Sequence, residues 1–154
     1  MKVRVILLVV LIFLLAIIAG LLWQWATTDR GYSITIGGGT YPITALAMNE
    51  TTRERGLQGQ EITDKTFMLF VFPYPGLWPF WMYQTDGKLD IIWLSLDHGQ
   101  GEIVDLHKAA PCFNESQCPV YYPKAPANYV IEMQAGFIRA HNLTIGSPVT
   151  VFKN

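Results

Sequence analysis

Catalytic signatures are missing from this chain of 154 residues. It has no nucleophile elbow, no phosphate-binding loop, no His-x-x-x-His pair and no dinucleotide fingerprint, and Ser95 lacks the flanking glycines an elbow needs. Clustered cations are missing too. The chain carries 11 Lys and Arg against 12 Asp and Glu, and setting aside Lys2 and Arg4 leaves 9 against 12, about −3 for the remainder. A weakly acidic domain whose cations stand singly from Arg30 to Lys153 is a poor match for nucleic-acid phosphates, so that partner class is set aside. Nothing in the sequence asks for a metal or another cofactor.

What the chain has in abundance is one uncharged apolar run. Val5 to Leu22 is almost wholly Val, Ile, Leu, Phe and Ala, and it continues through Trp23 and Trp25. Roughly 20 residues at 1.5 Å rise cross a hydrocarbon core of about 30 Å. Lys2 and Arg4 precede the run, and Asp29 and Arg30 after it nearly cancel, so the positive-inside bias keeps the N-terminus in the cytoplasm. The expectation is a single-pass cell-membrane protein: residues 1–27 an anchor crossing through residues 5–25, residues 28–40 a juxtamembrane segment with a first strand, and residues 41–154 a domain outside, extracellular or periplasmic. The rival is a cleaved signal peptide, whose apolar part is shorter and ends in small residues rather than in Leu-Leu-Trp-Gln-Trp.

Two features agree with an outside location. Asn49, Asn114 and Asn142 each begin a glycosylation acceptor pattern. Cys112 and Cys118 are the only cysteines, and an even pair in an oxidising compartment reads as one disulfide closing a short loop. Free thiols are one alternative. A metal held with His98, His107 or His141 is another, although the spacing is not that of a zinc ribbon or finger.

Residues beyond the apolar run break into short segments, several of them alternating. Phe67–Phe72 is instead a continuous apolar run, read as a strand buried on both faces or set in a barrel wall. Strands are expected at Tyr32–Ile36, Ile43–Met48, Phe67–Phe72 (stopped by Pro73 and Pro75), Tyr129–Met133 and Pro148–Phe152. Ile91–Leu96 and Glu102–His107 flank turn residues and make a hairpin. A short helix follows Thr51, read with Glu54 as a capping box, and a second lies between Gly136 and His141. Pro111 to Pro126, proline-rich and holding both cysteines, is a loop. Many short strands with two brief helices predict a mostly β fold, a small barrel or curled sandwich behind the transmembrane helix.

Successive blocks then become recognisable. Arg55-Gly56-Leu57-Gln58-Gly59, Phe67–Pro73, Phe80-Trp81-Met82, Leu89-Asp90-Ile91-Ile92, Pro111-Cys112, Tyr129-Val130-Ile131-Glu132 and Ala135-Gly136 resemble, in order and from about Ile43 to Val151, the family catalogued as domain of unknown function 192. The resemblance implies a compact mostly β domain, often exported in bacteria and archaea, with no established activity. One departure is plain: where that family usually reads Lys-Asn-Thr after Phe-Trp-Met, this chain has Tyr83-Gln84-Thr85.

The residues that could carry chemistry are Trp81, Tyr83, Asp90, His107 and Glu132. Trp78, Phe80, Trp81, Tyr83 and Trp93 form the densest aromatic group, a platform able to stack a sugar or a side chain. Asp90 and Glu132 are carboxylates inside apolar strands, where an unpaired charge costs several kcal/mol. Asp90 is read either as a ligand-binding acid or as an acceptor of backbone N–H bonds, and His107 either as part of an acid–base cluster or as a structural histidine. Three functions follow: a membrane-tethered binding or accessory module for a small molecule, glycan or protein segment; a subunit of a membrane complex, using Ala16, Ala19 and Gly20 for helix packing; or an envelope hydrolase using Asp90, His107 and Glu132.

Overall fold

The computed structural model describes residues 13–19 and 31–154, which fall in two separate units divided at Arg30. Residues 13–19 are helical (α1), with Phe13, Leu14, Leu15, Ile17 and Ile18 exposed. Among the described residues no helix is long and apolar enough to cross a membrane. The expected span lies mostly outside those residues.

From Gly31 to Asn154 the chain forms one unit built on ten strands. They are β1 (Tyr32–Ile36), β2 (Gly39–Pro42), β3 (Ala45–Ala47), β4 (Phe67–Gly76), β5 (Phe80–Trp81), β6 (Leu89–Asp97), β7 (Gln100–Ala109), β8 (Val120–Tyr121), β9 (Ala127–Gln134) and β10 (Pro148–Lys153), with α2 (Glu50–Arg55) and α3 (Phe137–Ala140) between them. Eight strands make one sheet in the order β2-β1-β10-β7-β6-β9-β4-β3, while β5 and β8 pair separately. Only β3 and β4 run parallel. β1 and β2 are integral to this sheet, which therefore begins ahead of residue 41.

The sheet curls into a half-barrel. Tyr41 on the edge strand β2 stacks on Phe67 of β4, next to the opposite edge, with ring centroids 4.9 Å apart. A flat sheet would hold those strands about 29 Å apart, at about 4.8 Å per strand. The cause lies in the side chains of the concave face, where Ile34 and Ile36 of β1 share one core with Phe67, Leu69, Ile92, Leu94, Ile131 and Met133. α3 plugs that face with Ile138. Strand alternation sends Met68, Phe70, Ile91, Trp93 and Val130 to the convex face, into a second core. That core is covered by Leu57, just after α2, and by Phe80 and Met82.

Several expectations hold as stated. The hairpin β6–β7 turns through His98 and Gly99, both at positive φ (47° and 81°), as a two-residue turn of the primed type requires. Cys112 and Cys118 form a disulfide that closes the proline-rich loop. Others need correction. β4 does not stop at Pro73 but runs to Gly76, because the prolines sit in an exposed stretch where the register with β9 shifts and no ladder donor is needed. The expected strand Ile43–Met48 is only β3, Ala45–Ala47. The α2 cap is Asn49, whose side chain accepts from Thr52 N–H at 2.9 Å, and not Thr51. The Cys loop is not all irregular: it contains a turn of 3-10 helix at Glu115–Gln117 and the short strand β8.

Candidate functional site

The convex face holds a cleft of about 580 Å³, a size that suits a small-molecule ligand. Its floor is the sheet itself. Glu132 lies mid-strand on β9, between Met68 of β4 on one side and Ile91 of β6 on the other. Alternation along β9 puts Glu132 on the same face as Val130, so a carboxyl replaces a hydrophobe in the wall of an apolar core.

Aromatic rings form the walls. Phe72 and Trp78 stack with centroids 4.4 Å apart, and Phe80 meets Phe70 edge-on at 4.8 Å. Trp93 secures this segment from beneath, donating its indole N–H to the Trp78 carbonyl at 2.9 Å. Trp81 stands at the rim, 38% exposed. α2 forms the other side. Arg53 is committed to the scaffold, donating to the carbonyls of Met48 and Val71 at 3.0 Å each and lying over the Phe72 ring. After α2 the chain turns at Gly56 (φ 49°), and Gly59 N–H donates to the Gln84 carbonyl, tying the Arg55–Gly59 block to the segment after Trp81. The blocks that looked separate along the chain thus converge on this one cleft: Arg55–Gln58, Phe70, Phe72, Pro73, Phe80, Trp81 and Glu132 all line it.

Two polar groups stand at the inner surface of the cleft, Glu132 and Thr85, each 4% exposed. Among the described residues neither side chain makes a hydrogen bond or an ion pair. Burial alone pushes the Glu132 carboxyl from 4.5 up to about 8. At neutral pH it is therefore mostly a neutral acid, able both to donate and to accept a hydrogen bond.

The remaining sequence candidates fall elsewhere. Tyr83 lies tilted against Trp81, with ring centroids 5.3 Å apart, but bridges to Cys112, outside the cleft. Asp90 points to the concave face, where one carboxylate oxygen accepts from Gly136 N–H at 3.0 Å and Ile138 N–H at 2.8 Å. That is the structural role weighed for it, fixing the entry to α3. His107 shares the convex face with Glu132, but Ile91 lies between them in the ladder, separating their strands by about 10 Å. Its Nε2 lies 3.5 Å from Asp105, whose carboxylate accepts from Lys124 N–H at 2.8 Å and so holds the Cys loop down. Asp90, His107 and Glu132 do not form one acid–base cluster, because strand parity and register set them apart. Sequence reading missed Thr85, Phe70 and Phe72 in the cleft. Phe70 and Phe72 belong to a continuous apolar run, which marks a strand but names no face.

These features define a class: a half-barrel β domain with an aromatic-walled cleft that ends on a buried acid. The family model for domain of unknown function 192, an uncharacterised family, matches residues 33–151, and the chain belongs to that family. Two solved structures share the fold. A protein of unknown function from Novosphingobium aromaticivorans is 23% identical with a TM-score of 0.64, over 79% of this chain and 83% of that one. A putative transcription regulator from Sinorhizobium meliloti is 24% identical with a TM-score of 0.63, over 82% of this chain and 96% of that one. At such identities the likeness concerns the fold alone. No curated protein matches the chain.

Proposed function

We propose that this protein is a membrane-tethered binding module of the cell envelope, with residues 5–25 in the membrane, the N-terminus in the cytoplasm and the β domain outside. The ligand, a small molecule or a glycan unit, occupies the Glu132 cleft. Glu132 carries this reading: a carboxyl that replaces a hydrophobe in a core and has no partner costs stability, and a ligand's hydrogen bond or charge offsets that cost. The outside location draws support from the exposed apolar side chains of α1, the disulfide and the exposure of Asn49, Asn114 and Asn142.

Native mass spectrometry of the full chain, incubated with fractionated small molecules from the envelope, tests the binding role. We expect an adduct on the order of a few hundred daltons, with Trp81→Ala weakening it about tenfold because that ring is half-exposed at the rim and contributes more to a ligand than to the core. A chain that stays bare in every fraction overturns the reading. For the location, protease added outside intact cells should remove the β domain, whereas complete protection would refute the topology.

A further inference from the structure

Which ligand chemistry suits the cleft follows from what its walls offer and from what the protein leaves out. The argument rests on the cleft being a ligand site. A buried carboxyl is ordinarily matched by a lysine or arginine of the same chain. Here no such partner reaches Glu132: Arg53 is spent on two carbonyls and on the Phe72 ring, and Arg55 makes no ion pair among the described residues. Phe72 already has Arg53 over its ring and Trp78 stacked on it, so the exposed electron-rich ring, which attracts a cation and repels an anion, is that of Trp81 at the rim.

We infer that the ligand brings the missing positive charge, an alkylammonium group that lies against the aromatic walls and pairs with the Glu132 carboxylate. An anionic ligand would find Arg55 in the lining, but it would leave the Glu132 carboxyl buried without a counter-charge. A neutral one would satisfy hydrogen bonds and leave the carboxylate without a counter-charge. The charged and titratable groups facing the cleft besides Glu132 are Glu50, Arg53, Glu54 and Arg55 of α2 and Tyr74 of β4. β6 and the Trp78–Thr85 segment contribute none.

Binding then carries a proton balance. The carboxyl, protonated before the ligand arrives, loses its proton to solvent as the cation pairs with the carboxylate, so each ligand bound releases up to one proton. Affinity rises with pH up to the point where Glu132 is already ionised, near pH 8, and levels off above it. A quaternary ammonium has no proton of its own to confuse this dependence.

The probes are choline and its neutral isostere 3,3-dimethylbutanol, titrated into the full chain in mild detergent, with the tryptophan fluorescence and the calorimetric heat as readouts. We expect choline to bind at least fivefold more tightly at pH 9 than at pH 7, proton release in weak buffer at pH 7, and loss of both in Glu132→Gln. If 3,3-dimethylbutanol binds as well as choline, or if affinity is flat or falls with pH, the cleft remains a ligand site and the cation inference is overturned. If neither probe binds at pH 9, the inference is equally overturned, and the envelope-fraction experiment decides separately whether the cleft binds anything.

Discussion

Replacing Asp90 with alanine is expected to lower the unfolding free energy by about 3 kcal/mol, taking a charge-assisted hydrogen bond as about 1.5–3 kcal/mol. Asp90 is fully buried, and one of its oxygens holds two backbone N–H groups 46 and 48 residues away. Those donors belong to the turn at Gly136 (φ 107°) and to Ile138, the residue with which α3 plugs the concave core. Alanine leaves both N–H groups without an acceptor and frees the turn from β6. Its other oxygen has no partner, so removing the carboxylate also relieves some desolvation, which keeps the loss below the sum of two full bonds. Asp90→Asn retains an oxygen able to accept both bonds, and should cost no more than about half as much. Urea unfolding followed by tryptophan fluorescence measures both. A change under about 0.5 kcal/mol for alanine would remove Asp90 from the structural account.

The second large effect is the dependence of stability on pH. In the unfolded chain Glu132 titrates near 4.5; in the folded chain burial raises it to about 8. The folded state therefore holds its proton more tightly than the unfolded state does. That contribution is complete below pH 4.5, declines as pH rises between the two values, and is gone once pH has passed through about 8. The difference across this window is on the order of 5 kcal/mol, at about 1.4 kcal/mol per unit. Glu132→Gln, which cannot ionise, should flatten this part of the profile and be the more stable protein at pH 8. Urea melts of both proteins at pH 5 and pH 8 check the sign, and identical pH profiles would contradict it.

Much of the architecture was legible because it rests on local rules. Alternation and one continuous apolar run marked the strands, paired turn residues at His98-Gly99 marked the hairpin, and two lone cysteines six residues apart marked the bridge. What local rules do not carry is sheet order. β9 inserts between β6 and β4, and β10 between β1 and β7, through pairings that span most of the domain. Without that order Asp90 and Glu132 look alike, each an acid in an apolar strand. Parity sends one to the concave face, where backbone donors are ready for it, and the other to the convex face, where the neighbours are Met68, Ile91 and a cleft. The same difficulty hid Phe72 and Thr85, whose roles depend on α2 and the Trp78–Thr85 segment folding over one side of the sheet. The prolines of β4 misled for a related reason: Pro73 and Pro75 break a strand only where a neighbour needs their N–H, and there β9 has slipped register.

The account depends most on Glu132 being a buried acid that no other group of the protein neutralises. Carbon-13 labelling of the glutamate side-chain carboxyls, with the resonance of Glu132 assigned by its loss in Glu132→Gln, reads this directly in an NMR titration. The account predicts that the Glu132 carboxyl titrates near pH 8. A Glu132 resonance that titrates near the unshifted value of 4.5 would contradict it.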